Sequence, residues 1–211
     1  MADIKLWGFD NSTYVRTVKM VLAEKEVGDY EQVQLNVLEG DPRSQEHRER
    51  NPFGKVPVLD HDGLRLYETA AICQYLETVL PGRSVIPTAP KDRARMDMAT
   101  GIIDSYGYSA LLGVIAYHLF PDFIGGQDDE AHRRNLTTSR TVIGELMRLR
   151  GPDTFIAGAE HSVADYMLAP LVAYIALTPH NDEIMALHGL GDWWSRVTAL
   201  ESFRSTRPDM G

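Results

Sequence analysis

Residues 56–76 read VPVLDHDGLRLYETAAICQYL, and they contain a hairpin signal followed by a helical one. Apolar runs lie on both sides of Asp62-Gly63, and Asp-Gly favours the tight turn of a β-hairpin. Ile72, Tyr75 and Leu76 then follow at positions i, i+3 and i+4, which is the spacing of one helix face. The stretch therefore predicts two antiparallel strands and a helix, in the order ββα.

The sequence before this stretch alternates between two periodicities. Ile4 and Leu6 fall on one face of a short strand, whereas residues 15–26 have helical spacing and residues 33–37 again alternate as a strand. A strand, helix and strand in this order predict a βαβ unit with parallel strands and a right-handed crossover. Because residues 41–50 are polar and helical in character, the whole first part is predicted to be βαβ-α-ββα.

A domain boundary is predicted where helix-breaking residues cluster. Pro81-Gly82 ends the helix of the first stretch, and Pro87 and Pro90 interrupt the next ten residues. The expected organisation is an α/β domain over residues 1–80, a linker over 81–90 and a second domain over 91–211.

The second domain is predicted to be all-helical, because no strand signal is found beyond the linker. Ser162 and Asp165 form an S-x-x-D pair that is typical of a helix start. Helices are expected over residues 92–119, 128–150 and 164–175, with a short terminal helix that carries Trp193, Trp194 and Leu200.

Composition and charge exclude several classes of protein. The 211 residues have a formal net charge of −9, which argues against a nucleic-acid partner, since phosphate binding needs clustered Lys and Arg. One cysteine, Cys73, excludes an internal disulfide and a thiolate zinc cluster. The start lacks a signal-peptide pattern and the longest apolar run, residues 111–117, is too short to span a bilayer, so a cytoplasmic protein without a membrane partner is expected. The seven histidines have no metal-ligand spacing, and no metal is expected.

Four segments in this order resemble the cytosolic glutathione transferases. They are LWGFDNS at residues 6–12, NPFGKVP at 51–57, LYETAAI at 66–72 and HSVADY at 161–166. The resemblance covers nearly the whole chain. It implies a thioredoxin-like N-terminal domain, an all-helical C-terminal domain and a homodimer. It also implies that glutathione is a cosubstrate rather than a bound cofactor, and that its thiol attacks a small hydrophobic electrophile.

Ser12 is the predicted catalytic residue. It opens the first helix, where a hydroxyl that donates to the sulfur and the helix terminus would both favour the thiolate of glutathione. The spacing from Gly8 to Ser12 resembles that of the serine-type classes, phi- or theta-like and bacterial. The tyrosine-type classes have a tyrosine at the end of the first strand, where this chain has Trp7. Tyr14 is the main rival donor, Asn11 and Thr13 are further ones, and a simple N-cap role for Ser12 is the alternative.

The segment before the hairpin is predicted to bind the backbone of glutathione. In the family the Val56-Pro57 bond is cis, and the amide and carbonyl of Val56 pair with the cysteinyl part of the tripeptide. Lys55 could reach one of its carboxylates. From local sequence alone, Val-Pro at this place is an ordinary start of an edge strand.

Three further residues are predicted to hold the charged ends of glutathione. Thr69 lies at a helix start that suits a bound carboxylate, and Glu68 could accept from the γ-glutamyl ammonium group. A plain helix start is the alternative for both. Arg43 could pair with the glycyl carboxylate. The plant-like serine classes have His and Lys at this place, where this chain has Pro42 and Arg43. The alternative that Arg43 is only a solvated surface charge is therefore equally open.

The electrophile pocket is expected between the domains, lined by aromatic residues. Phe9, Tyr14, Tyr106 and Tyr117 are the candidates, although aromatic residues at helical spacing also build cores.

The resemblance as a whole predicts that the chain is a glutathione transferase. A glutathione-dependent peroxidase or dehalogenase on the same site, and a non-catalytic regulatory protein with the same fold, are the alternatives.

Overall fold

The computed structural model describes residues 3–37 and 39–209. They form two compact units, one of Met1–Val85 with Glu201–Gly211 and the other of Ile86–Leu200. The end of the chain therefore belongs to the first unit, whereas the sequence assigned it to the helical domain.

The first unit has the predicted βαβ-α-ββα order. Its elements are β1 (Ile4–Trp7), α1 (Thr13–Glu24), β2 (Glu31–Val33), a 3₁₀ turn (Asp41–Arg43), α2 (Gln45–Arg50), β3 (Val58–His61), β4 (Leu64–Tyr67) and α3 (Thr69–Val79).

The sheet has the strand order β2-β1-β3-β4, with β1 and β2 parallel and the other pairs antiparallel. In the register, Trp7 is opposite both Val33 and Val58, and Val58 is opposite Tyr67. The carboxyl ends of β1, β2 and β4 and the amino end of β3 thus lie at one edge of the sheet, which is called the site edge below.

The second strand is shorter and earlier than predicted. The alternation at residues 33–37 suggested a strand there, but β2 covers Glu31–Val33. Its partner β1 ends at Trp7, and after Val33 the pairing is limited to hydrogen bonds with Gly8, from the Gly8 N–H to the Val33 carbonyl (2.9 Å) and from the Leu35 N–H to the Gly8 carbonyl (3.4 Å). Leu35 and Val37 lie half-buried.

Apolar side chains from the sheet, α1 and α3 form the core of the first unit, and Leu6, Leu22, Leu59 and Leu76 are fully buried. Gly8 allows α1 to approach the end of β1, because a Cβ there would lie 2.3 Å from a methyl carbon of Val15.

The second unit is helical. It contains α4 (Pro90–Ile102), a π-helical turn (Ile103–Gly107), α5 (Tyr108–Leu119), a 3₁₀ turn (Pro121–Ile124), α6 (Asp129–Arg150), α7 (Val163–Ile175), α8 (Asn181–Met185) and α9 (Leu190–Val197). The predicted helix over 92–119 is present but is interrupted by the π turn. Leu200, which was predicted to share a helix with Trp193 and Trp194, lies after the end of α9. None of the helices in the described ranges has the length and apolar character needed to span a bilayer.

The predicted S-x-x-D pair begins α7 as a capping box. Asp165 is fully buried and accepts hydrogen bonds from the backbone N–H groups of Ser162 (2.8 Å) and Ile156 (3.0 Å), from the Ser162 hydroxyl (3.1 Å) and from the Trp193 indole (2.8 Å). This carboxylate therefore joins α7, the loop before it and α9. Burial raises the pKa of Asp165, although these donors oppose the rise.

The last helix, α10 (Glu201–Ser205), packs on α1. Arg16 is 3% exposed, donates to the Phe203 carbonyl at 2.7 Å and lies 4.1 Å from the centre of the Phe203 ring. This buried contact explains why the end of the chain joins the first unit.

Candidate functional site

The sheet register places most of the predicted glutathione-binding residues at the site edge. The loop with Ser12 follows β1, Val56-Pro57 precedes β3, and Glu68-Thr69 follows β4. Arg43 lies in the 3₁₀ turn after β2. Because Trp7, Val58 and Tyr67 are neighbours in the ladder, the segments beside them emerge at the same end of the sheet.

Ser12 is the N-cap of α1. Its Oγ accepts from the Val15 amide at 3.4 Å, and its own N–H donates to the Phe9 carbonyl at 2.9 Å. The cap uses a lone pair of the hydroxyl oxygen and leaves the O–H bond as a donor. The capping and catalytic interpretations of Ser12 are therefore compatible, and both place its oxygen at the positive end of the helix.

The loop that carries Ser12 is held by Asp10, a residue that the sequence did not single out. Its carboxylate accepts from Lys19 (2.7 Å), Gln32 (2.9 Å) and Gln34 (2.8 Å). Burial raises the pKa of Asp10, but the hydrogen bonds from Lys19 and Gln32 outweigh it and the pKa lies below its usual value. The charged carboxylate thus ties the loop to α1 and to the chain around β2.

The neighbours of Ser12 differ in burial. Thr13 is 6% exposed, while Asn11 and Tyr14 are half-buried. Trp7 has a structural role, because its indole N–H donates to Asp60 at 2.9 Å and the Arg50 guanidinium lies 3.9 Å from its ring centre.

The Val56–Pro57 bond is cis, as the resemblance implied. Pro57 is buried and Val56 half-buried. The carbonyl just before this pair, that of Lys55, is held by the His47 ring at 2.9 Å and the Asn51 side-chain amide at 3.0 Å. Neither His47 nor Asn51 was predicted to support the site, and the polar pattern of α2 contains no signal for it.

Gly54 allows the backbone just before Lys55 to pack closely against the turn that carries Arg43. Its φ is +59°, and a Cβ on it would lie 2.8 Å from the Pro42 carbonyl oxygen. Only glycine combines this backbone conformation with so close an approach. The side chains of Lys55 and Arg43 are both exposed, so each cation is available to an anionic ligand.

Glu68 has a backbone conformation that is rare for a residue with a side chain, with φ 73° and ψ 113°. Such a conformation costs about 1–3 kcal/mol and is commonest at functional sites. Its side chain is exposed and makes no capping hydrogen bond to the described start of α3. A plain capping role for the Glu68 side chain is therefore wrong. Thr69, the first residue of α3, is 5% exposed.

The residues predicted to contact the electrophile belong to both units. Phe9 and Tyr14 flank the Ser12 loop in the first unit. Tyr106 is 63% exposed on the π turn of the second, and π turns are frequent at functional sites. Tyr117 donates to Asp129 at 2.5 Å, a hydrogen bond that raises its pKa. Their contact with an electrophile stays a prediction.

Solved structures share this fold over almost the whole chain. Glutathione transferase F7 from Populus trichocarpa has a TM-score of 0.85 at 23% identity, covering 96% of this chain and 97% of its own. A glutathione S-transferase-I bound with lactoylglutathione has a TM-score of 0.79 at 25% identity, covering 97% and 98%. These similarities confirm the predicted thioredoxin-like and helical parts.

Sequence comparison identifies the family. Residues 2–78 match the family model described as glutathione S-transferase, N-terminal domain. Glutathione S-transferase hmp2 of Hypomyces subiculosus is 38% identical over 205 residues, 95% of each chain. A probable glutathione S-transferase of Oryza sativa subsp. japonica is 29% identical over 96% of this chain and 94% of its own. The chain belongs to the glutathione S-transferase family.

Proposed function

We propose that the protein activates the thiol of glutathione at the site edge and transfers the glutathionyl group, through its sulfur, to a small hydrophobic electrophile. The observation that carries this proposal is the position of Ser12. Its hydroxyl caps α1, at the same end of the sheet as the cis-proline segment and the start of α3. Glutathione is a cosubstrate in this reaction.

Thiolate formation is the step that Ser12 assists. A free thiol has a pKa of about 8.5, so only a small fraction is ionised at neutral pH. A sulfur beside the N-terminus of α1 gains from the helix dipole and from the hydrogen bond that the Ser12 hydroxyl donates. The thiol proton passes to water. The thiolate then forms the bond to the electrophilic carbon, and the leaving group on that carbon departs with the electron pair of the bond that breaks.

The other residues of the site edge would bind the tripeptide. The backbone of Val56 pairs with the cysteinyl part, while the Thr69 hydroxyl and the start of α3 hold the γ-glutamyl carboxylate. Glu68 accepts from the γ-glutamyl ammonium group. Lys55 and Arg43 supply local positive charge for the glycyl carboxylate, which a protein with a net charge of −9 needs close to the ligand.

A serine-type mechanism is supported over one that uses a catalytic tyrosine or a cysteine of this chain. Trp7 is committed to Asp60 and Arg50, so it cannot replace a catalytic tyrosine. Cys73 is fully buried within α3, and its thiol is therefore shielded from substrate.

A cytoplasmic homodimer is part of the same proposal, because the family resemblance implies it. Light scattering in solution would measure the oligomeric state.

The proposal is tested with Ser12→Ala and the rival variant Tyr14→Phe. Loss of one preorganised donor lowers kcat by about 10²–10³-fold. We expect this in Ser12→Ala with a model arylating substrate, with the glutathione affinity retained and the pKa of bound glutathione raised. Tyr14→Phe should keep its rate. Unchanged turnover in Ser12→Ala would refute the assignment to serine.

Binding is tested separately from catalysis. Glu68→Gln should weaken glutathione affinity in calorimetry, because it removes the negative charge that would face the ammonium group and leaves only a neutral amide oxygen as acceptor. If the wild-type protein binds glutathione but conjugates no electrophile and shows no peroxidase or dehalogenase turnover, the regulatory alternative holds instead.

A further inference from the structure

Three histidines that are far apart in the sequence meet within the second unit. His118 lies on α5, His132 on α6 and His180 just before α8. One ring nitrogen of each lies within 4.8 Å of the other two. The sequence predicted no metal because its histidines lack a short ligand spacing. Only the packing of α5 and α6 and the turn before α8 creates this cluster.

The geometry of the cluster is close to that of a metal site. The Nε2 atoms of His132 and His180 are 3.0 Å apart, and the His118 ring centre lies 5.0 Å and 5.2 Å from those of His132 and His180. Three nitrogens at about 2.0–2.1 Å from a tetrahedral Zn²⁺ are separated by about 3.3 Å. Small rotations of the imidazole rings would therefore bring all three to ligand distance.

Buried ring nitrogens of the cluster lack hydrogen-bond partners among the described residues. Nε2 of His118 is buried and has no hydrogen-bond partner among the described residues, whereas buried polar atoms normally have one.

His180 also has a carboxylate near its second ring nitrogen. Its Nε2 faces His132, while its Nδ1 lies 3.6 Å from a carboxylate oxygen of Glu183. Metal-ligating histidines commonly turn their second nitrogen towards a carboxylate, which fixes the tautomer and raises the basicity of the ligand. Glu183 is itself paired with Arg140.

Tyr117 holds the imidazole ring of His132 in place. Its side chain stacks on His132 with ring centres 4.1 Å apart and planes inclined by 21°.

We propose that His118, His132 and His180 together bind one first-row divalent cation such as Zn²⁺, with water as the fourth ligand. Three protein ligands and an open position are a common zinc arrangement. The bound ion would connect α5, α6 and the turn before α8, so the site would stabilise the second unit. The family resemblance implies no such ion, and the site uses none of the residues proposed to bind glutathione.

The test is a titration of chelator-treated, untagged protein with Zn²⁺, followed by calorimetry. We expect one ion per chain, and an affinity that falls at least tenfold in His118→Ala and in His180→Ala. Glu183→Gln should weaken binding about 10–100-fold, as outer partners of ligands do. His188→Ala is the matched control, because His188 is exposed in the same unit and lies outside the cluster.

Thermal unfolding separates loss of ligands from loss of fold. Zn²⁺ should raise the melting temperature of the wild type and of His188→Ala, but not that of His118→Ala or the more conservative His118→Gln. The proposal is overturned if these His118 variants bind Zn²⁺ as tightly as the wild type. It is equally overturned if His188→Ala loses as much affinity as they do, since the binding would then be general to surface histidines.

Discussion

Replacing Asp165 by alanine removes the acceptor of four hydrogen bonds in the core of the second unit. Two of the donors are backbone N–H groups, of Ile156 and Ser162, and a third is the indole of Trp193. The fourth is the Ser162 hydroxyl, which can rotate to another acceptor. The substitution therefore leaves three buried N–H groups without a partner.

The expected loss of stability follows from these groups. Each buried donor without an acceptor costs about 1–3 kcal/mol. Burial disfavours the charge of Asp165, as its raised pKa indicates, so removing the carboxylate recovers part of this loss. A net decrease of about 3–5 kcal/mol in the free energy of unfolding is expected, the usual effect of breaking a buried charged network. It is a large part of the total of about 5–15 kcal/mol that holds a typical domain.

Urea unfolding followed by circular dichroism and tryptophan fluorescence measures this change. The control is Ser162→Ala, which removes the capping hydroxyl but keeps the carboxylate, and which should lose only about 1 kcal/mol. In thermal unfolding, Asp165→Ala should melt about 10 °C lower, since each kcal/mol shifts a protein of this size by about 2–4 °C. If Asp165→Ala is no less stable than Ser162→Ala, the carboxylate does not join α7 to α9 as described.

Two further predictions concern the first unit. Gly54→Ala should lower the free energy of unfolding by about 1–3 kcal/mol, because its φ is positive and the added Cβ meets the Pro42 carbonyl. Gly28→Ala, which meets no atom within 4 Å, should be nearly neutral in the same urea titration, and equal losses would contradict the argument. Asp10→Asn should lower stability near pH 7 by about 1 kcal/mol at most, because the carboxylate is 42% exposed and solvent screens its partners. The folded pKa of Asp10 is lowered, so its contribution is present above the unfolded value of 3.8 and is lost as the pH falls through the folded value. The stability difference from wild type should accordingly vanish in acid, and a difference that persists there would show that the charge is not its source.

Local patterns predicted the βαβ-α-ββα order of the first unit and the longer helices of the second, but not α8. The Asp62-Gly63 turn is present between β3 and β4, and the helical spacing after it corresponds to α3. The second strand was misplaced because a strand needs a partner, and periodicity contains no information on where β1 ends. The last helix was assigned to the wrong unit for a similar reason. Its place depends on Arg16, whose buried contact with Phe203 spans 187 positions in the chain.

The resemblance supplied the candidate site, and the structure supplied what holds it in place. Ser12 and the cis bond before Pro57 were expected from the motifs. The residues that hold the site in place were not expected, because Asp10 and His47 act through side chains whose partners come from other segments of the chain. The histidine cluster was missed because it has no signature in the sequence at all.

In the proposed reaction, the sulfur must be brought by the cosubstrate. The first helix of a thioredoxin-like unit stabilises an anion at its N-terminus, whichever molecule supplies that anion. Here the position is occupied by Ser12, whose hydroxyl we propose to be the donor to the thiolate. Cys73 is fully buried, so its thiol is shielded from substrate. The site therefore has a helix N-terminus and a hydroxyl group but no reactive thiol of its own. Such a site can stabilise a thiolate only if it also binds a ligand that carries a thiol. The segments at Val56 and Glu68 emerge at the same end of the sheet, where a bound tripeptide would present its cysteine to Ser12.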